Sequence, residues 1–266
     1  MLRLTIYNAQ HELQAQCEDA RDISYVYESA YQPGDYIQVD WDEAPGFLNI
    51  WLEDTLPPAL VYLPQSRLRY PIPGEAERVI LSPKSFSGNR QLIRLCVAEA
   101  EELEETRNLA LNPYDSHHNT DCFPHAQANV ETRGEMWFAA RNAIDGCHEN
   151  HGHGAWPYQS WGINRDPNAA MTLDFGRDVL VEGFAFTLRA DFPHDAWWEQ
   201  VSLILEGENE ADSEELVFHL EKSDQPQYRS IEARKLRRCT LCKLIKADDP
   251  SPFPALTQLE VWGRWV

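Results

Sequence analysis

A histidine- and tryptophan-rich stretch, FAARNAIDGCHENHGHGAWPYQSWG from Phe138 to Gly162, holds the residue types in this chain most able to do chemistry. Histidine nitrogens bind transition metals, and histidine and tryptophan side chains also line small-molecule sites. The spacing in HENHGH differs from the helical H-E-x-x-H pattern of zinc hydrolases, because the second histidine comes too early and glycines interrupt any helix. The stretch therefore predicts loop residues that contact a ligand or tie the loops together, with a catalytic metal as the alternative.

A second dense stretch, RADFPHDAWWEQ from Arg189 to Gln200, places charged side chains directly before two adjacent tryptophans. Guanidinium, carboxylate and imidazole groups hydrogen-bond neighbouring hydroxyl groups, and an aromatic face packs on the apolar side of a sugar ring. This mix predicts a site for a carbohydrate or a similar small polar ligand. The alternative is structural: one tryptophan belongs to the core, and Arg189 pairs with Asp191 inside the protein.

The candidate ligand-binding residues come from these two stretches and from ETRGE, whose charges either line the same end or cap a short helix expected at Phe138. They are Arg133, His151, His153, Trp156, Arg189, Asp191, His194 and Trp197. We assign none of them a catalytic role. The sequence has no G-x-S-x-G elbow, and a pair of carboxylates carries no signal in a chain with 43 acidic residues.

The elements that would position these residues are strands. Short runs such as QPGDYIQVDW and ALVYLPQ fill the first hundred residues and are typical of an antiparallel sandwich. Similar runs fill the C-terminal half, and between them five glutamates from Glu99 to Glu105 mark either a connector or the charged face of a strand exit. We expect an all-β chain of two β-sandwich domains, residues 1–105 with no assigned role and residues 106–266.

Four pieces of the second half carry a family resemblance. FAARNAIDG, the loop with Trp156 and Trp161, AAMTLDFGRDVLVEGFAFTLR and ALTQLEVWG resemble, in order and spacing, the discoidin-like (coagulation factor type C) domains of the galactose-binding-like jelly rolls. The resemblance covers about residues 130–263 and implies a jelly roll that holds its ligand on the loops at one end. It further implies that the two dense stretches emerge at that end, so that His153 and Arg189 line a shared cleft.

The resemblance also implies which residues face the core and which could hold a metal. The inward positions expected of a jelly roll are Leu173, Phe175, Phe184, Phe186, Leu188, Leu203 and Leu205. Many discoidin-like sugar binders hold a structural calcium through the aspartate of the I-D-G phrase, here Asp145, and a glutamate in the last strand. This chain has Gln258 in place of that glutamate, which removes one charge from the ligand set. Asp145 is therefore the candidate metal ligand, and no cofactor is required.

The composition of the chain argues against some classes of binding partner. The net charge is −20, from 43 acidic and 23 basic residues, which argues against a nucleic-acid partner. The N-terminal residues lack the apolar segment of a signal peptide, and no run has the apolar length of a membrane span, so we expect a cytoplasmic protein with no membrane partner. In that compartment the six cysteines are expected to be reduced.

The function that these patterns favour is binding of a carbohydrate or similar polar ligand through loops at one end of the C-terminal jelly roll. Two alternatives stay open. One is a glycan-active enzyme that uses the histidine, arginine and aspartate loops. The other is a protein–protein interaction module built on the tryptophan loops.

Overall fold

The computed structural model describes residues 1–117, 119, 121–190, 196–207 and 213–266. It is 48% strand and 7% helix, which confirms the predicted all-β sandwich class. None of its helices is long and apolar enough to cross a membrane. All six cysteines fall in the described ranges, and each is a free thiol.

The N-terminal strands form two four-stranded antiparallel sheets. The first has the order β2-β1-β4-β7 and the second the order β3-β8-β5-β6. The strands are β1 Leu2–Tyr7, β2 Leu13–Asp19, β3 Asp22–Tyr27, β4 Tyr36–Trp41, β5 Gly46–Trp51, β6 Ala59–Leu63, β7 Arg67–Pro71 and β8 Gln91–Val97. Alternate residues such as Ile37 and Val39 in β4, or Ile93 and Leu95 in β8, are fully buried between the sheets. The predicted sandwich pattern is therefore present.

The connector between the halves is short and irregular. The glutamate run forms α1, Ala100–Glu104, whose first turn is closed by a reciprocal capping pair of Glu99 and Glu102. Two short strands follow, β9 Arg107–Asn108 and β10 His125–Ala128. The helix expected at Phe138 is instead a series of 3-10 turns, because Ala139 is extended (φ −72°, ψ 150°) and interrupts it. The 3-10 helices of the chain are Arg78–Ile80, Thr132–Gly134, Met136–Phe138 and Ala140–Ile144.

The C-terminal strands form one continuous antiparallel sheet. They are β11 Trp161–Gly162, β12 Met171–Leu188, β13 Trp198–Glu206, β14 Glu214–His219, β15 Gln227–Lys246 and β16 Ala255–Trp265. Their order is β11-β16-β12-β15-β13-β14, with β10 added to β12 and β9 to β16. The long strands β12 and β15 therefore each pair with different neighbours along their length.

Bulges let this sheet close around a core. The start of β12 pairs with β10, and the rest of it, from Val179, pairs with β16. The inward residues of β12 are odd-numbered up to Val181 and even-numbered from Phe184, and the register shift between Val181 and Gly183 makes that change. All seven positions predicted to face inward are buried in one cluster. The closure also needs Gly263 in β16, where a Cβ atom would lie 2.1 Å from the carbonyl oxygen of Leu180.

The N-terminal and C-terminal parts of the chain pack against each other. The ring of Phe47 lies 4.7 Å from that of Trp265, and the Arg177 guanidinium lies 5.1 Å from the centre of the Phe47 ring. From the other direction, Tyr114 and Cys122 are buried in the N-terminal core. The division at residue 105 stays a prediction, with the added expectation that the two parts remain associated.

Proteolysis at α1 tests this expectation. A glutamate-specific protease should cut first between Glu99 and Glu105, where the connector is exposed. The two products should then co-elute on gel filtration under native conditions, because Phe47 and Trp265 hold them together, and separate only in denaturant. First cleavage inside β12, or free separation of the products in native buffer, would contradict this arrangement.

Candidate functional site

The candidate site is a cavity of about 270 Å³ at the end of the C-terminal sandwich where β11, β12 and β16 meet. It is lined by Thr132, Arg133 and Phe138, by residues 162–165 and 252–255, and by His153 and Arg189. The volume is near the lower end of the roughly 300–1,000 Å³ range of ligand pockets. Backbone pairing fixes this convergence: Gly162 is opposite Ala255, and the Arg189 N–H donates to the Ala255 carbonyl at 3.2 Å.

One wall of the cavity is apolar and tightly packed. Phe138 and Gly162 lie side by side there, and a Cβ atom at Gly162 would lie 2.7 Å from the Thr132 hydroxyl oxygen and 3.0 Å from the Phe138 ring. The same hydroxyl accepts a hydrogen bond from the Asn164 backbone N–H at 2.9 Å. Glycine at 162 is therefore required for the two adjacent lining segments to approach each other.

Arg189 places a buried guanidinium against the cavity. It follows directly after β12, is only 4% exposed, and donates from Nη1 to the Ser160 hydroxyl at 3.1 Å. A guanidinium held in this way presents a rigid fork of donors, because its side chain has already lost its rotamer freedom.

The rim carries two further arginines. Arg133 forms a bidentate ion pair with Glu135 at 2.8 and 2.7 Å and lies 5.5 Å above the Phe138 ring. The hydrogen bond from Arg133, together with one from Trp137, lowers the pKa of Glu135 to about 2. Arg165 stacks on Phe253 at 4.3 Å. Each rim arginine therefore lies over an aromatic ring, which places a positive charge beside an apolar surface.

The structure brings together three of the predicted ligand-binding residues. Arg133, His153 and Arg189 all line this cavity. Their role in binding a ligand stays a prediction. His153 is exposed there, and Arg189 is buried.

Three other predicted residues do not line the cavity. His151 is exposed elsewhere on its loop, and Trp156 is 42% exposed, with its backbone N–H donating to the Val79 carbonyl at 2.8 Å. That hydrogen bond draws the tryptophan loop towards the N-terminal sandwich. Trp197 packs against the C-terminal core, while its neighbour Trp198 is fully buried, as the structural alternative proposed. The predicted residues Asp191 and His194 lie outside the described residues.

Sequence reasoning missed the residues that complete the cavity. The sequence indicates only a short helix at Phe138 and does not single out Arg165 or Phe253, although all three line the cavity. The available signal was weak: GINRDPN is a turn-rich phrase, and DDPSPFPAL is a proline-rich loop with a phenylalanine just before the last strand. Neither phrase shows that the two loops meet, because that depends on the pairing of β11 with β16.

Asp145, the candidate calcium ligand, lies in a buried network of hydrogen bonds. Its Oδ1 accepts from Gln258 Nε2 at 2.8 Å and from the Cys147 backbone N–H at 2.8 Å. Its Oδ2 accepts from Gln159 Nε2 at 2.7 Å. Burial raises the pKa of Asp145, while the nearby Arg141 guanidinium and these N–H donors favour the carboxylate.

This arrangement does not fit a calcium ion. Gln258 Nε2 also donates to the carbonyl oxygens of Asn142 and Thr257, both at 2.7 Å, so an amide NH₂ group lies among the oxygens that a cation would need. Calcium requires about six to eight oxygen ligands at 2.3–2.6 Å, and an amide nitrogen that donates hydrogen bonds cannot be one of them. In the described part of the chain, no three histidine, cysteine, aspartate or glutamate side chains form a metal-binding group.

Comparison with known proteins gives structural neighbours only. No protein-family model matches the chain, and no curated protein matches it. The family 32 carbohydrate-binding module of NanJ from C. perfringens, solved with galactose, is 14% identical, with 52% of this chain and 91% of that chain covered and a TM-score of 0.41. The lectin domain of lectinolysin, solved with Lewis B antigen, is 17% identical over 58% of this chain and 95% of that one, with a TM-score of 0.44.

A fucose-binding module of Streptococcus pneumoniae is 13% identical, covering 58% of this chain and 96% of that one, with a TM-score of 0.43. The fold of this chain is defined by its own strand pairing.

The hydrogen bonds of Gln258 predict how the stability of the protein responds to chelator and to calcium. Chelator should leave the melting temperature of the protein unchanged. Gln258→Glu should lower the free energy of unfolding by about 3–5 kcal/mol, because it sets an unpaired carboxylate against Asp145 in a buried position. Added calcium should recover part of that loss in the variant alone. Calorimetric unfolding scans with and without calcium measure both effects.

Gln225→Glu is the matched control, since it makes the same change at an exposed position. A rise in the melting temperature of the unmodified protein on adding calcium would show that it binds the ion. That result would contradict the conclusion that the Gln258 amide group occupies the place of a calcium ion beside Asp145.

Proposed function

We propose that the protein binds carbohydrate in the cavity formed by Thr132, Arg133 and Phe138, by residues 162–165 and 252–255, and by His153 and Arg189. The observation that carries this proposal is the combination of a rigid, buried Arg189 guanidinium with the exposed ring of Phe253 in one cavity of about 270 Å³. Saccharides need both kinds of surface, since each sugar ring has an apolar face and an edge of hydroxyl groups.

Each lining group has a role in the proposed complex. Arg189 donates to adjacent ring or hydroxyl oxygens, and its fixed position reduces the entropy lost on binding. Phe253, 45% exposed, packs against the apolar face of the sugar. His153 is exposed at the cavity and hydrogen-bonds a hydroxyl group. The predicted roles of Asp191 and His194, which follow Arg189 in the chain, belong to the same proposal.

Several of the structural neighbours were solved with galactose or a Lewis antigen bound. We extend this class of ligand to this chain as a proposal because of the groups in its own cavity. The cavity suits a single saccharide ring. The further rings of a longer saccharide would extend past His153 and Phe253, between the two exposed loops.

Substitution of the exposed aromatic residue tests this site. In titration calorimetry against saccharides selected on a glycan array, Phe253→Ala should weaken binding about tenfold, which corresponds to the loss of one aromatic stacking partner. Arg189→Lys should weaken it by about ten- to a hundredfold, because the fork of donors is lost while the charge is kept.

Trp156→Ala is the matched control: this tryptophan is 42% exposed, close to the 45% of Phe253, but does not line the cavity. It should leave affinity unchanged. Equal losses from Trp156→Ala and Phe253→Ala would place the site elsewhere, and the absence of binding to any saccharide would refute the function. Conversion of the bound saccharide into product in the same samples would instead support the enzyme alternative.

A further inference from the structure

The cavity has an unusual charge for this protein. The chain has 43 acidic and 23 basic residues, yet Arg133, Arg165, Arg189 and His153 line the cavity. Among the described residues that line it there is no aspartate or glutamate. A cluster of guanidinium groups on an acidic protein creates a local positive potential that attracts anions.

The three arginines differ in their surroundings. Arg133 is balanced by its bidentate pair with Glu135, and Arg189 is buried and held by Ser160. Arg165 is exposed, stacks on Phe253 and forms no ion pair with any other described residue. The charge of Arg165 is therefore available at the rim, directly beside the ring on which a sugar would pack.

The backbone holds these groups in a costly conformation. Of the six non-glycine residues with positive φ in the described chain, three line this cavity: Arg133 (56°), Asn164 (49°) and Arg165 (61°). A left-handed conformation is unfavourable for an ordinary residue, because its Cβ atom comes too close to the following carbonyl oxygen. The hydrogen bond from the Asn164 N–H to the Thr132 hydroxyl helps to hold it. Such strain concentrates where a side chain must be presented to a ligand.

From the charge and this geometry we infer that the saccharide recognised in the cavity carries an acidic group, and that Arg165 determines the preference for it. The inference rests on the proposed function. The sugar ring packs on Phe253, and its carboxylate or sulfate group receives hydrogen bonds from the Arg165 guanidinium, which can bind an anion at its edge while its face stays on the ring.

The test is titration calorimetry on the full chain near neutral pH with galactose, galacturonic acid and galactose 6-sulfate, and with inorganic sulfate alone. At least one acidic sugar should bind about tenfold or more tightly than galactose. Raising the salt concentration from about 20 to about 300 mM should weaken the acidic sugar more than the neutral one. The two acidic sugars show whether a carboxylate or a sulfate is preferred.

Arg165→Gln should reduce the ratio of acidic to neutral affinity to near one, with the melting temperature showing that the variant is folded. Arg94→Gln is the matched control, because Arg94 is also exposed and stacked on an aromatic ring, 4.7 Å from Trp51, but lies in β8 of the other sandwich. It should leave the ratio unchanged.

The outcomes separate the two proposals. Equal affinity for galactose and both acidic sugars, or an unchanged ratio in Arg165→Gln, would overturn the inference and leave carbohydrate binding standing. Binding of inorganic sulfate as tight as that of the sugars would overturn the inference, because the cavity would then recognise an anion alone. No binding of any saccharide would refute the proposed function and the inference with it.

Discussion

The pairing of the first residues of β16 with both β11 and β12 is the constraint on which the candidate site depends. Gly162, Arg189 and Ala255 come from distant parts of the chain, yet backbone hydrogen bonds hold them together. Because main-chain geometry fixes these positions, the buried Arg189 side chain and the loop that carries Phe253 are set in place before any ligand arrives. A preformed site of this kind loses little entropy on binding.

A second constraint holds the 3-10 segment and the tryptophan loop against β16. Gln258 joins the Asn142 carbonyl, the Asp145 carboxylate and the Gly146 N–H, while Gln159 reaches the same carboxylate from the loop. A buried carboxylate is tolerated only when donors satisfy it, and here the amide groups of Gln258 and Gln159 donate to Asp145 with the Arg141 guanidinium nearby. Attachment of the loop to the sheet then depends on neutral side chains of the protein itself.

Charge in this molecule is distributed unevenly. Acidic residues dominate the chain as a whole, whereas three arginines meet at one cavity, two of them stacked on aromatic rings. Arg133 also pairs with Glu135, whereas stacking on Phe253 keeps the Arg165 guanidinium in place with its hydrogen-bonding edge available. The left-handed backbone at Asn164 and Arg165 is held in part by the hydrogen bond from the Asn164 N–H to the Thr132 hydroxyl.

The sequence by itself determined the all-β class and the inward residues of β12 and β13, because alternation and turn residues are local signals. It also indicated Arg133, His153 and Arg189, whose types suit a polar ligand. It could not show that Trp156 turns away towards Val79, or that Phe253 and Arg165 complete the cavity. Those placements depend on pairings between segments that are tens of residues apart, as when Gly162 meets Ala255.

The role of Gln258 is similar: its identity showed a missing charge, but only the folded protein placed its NH₂ group among the oxygens of Asn142 and Asp145. Residue types set which contacts are chemically available, and long-range strand pairing decides which of them form.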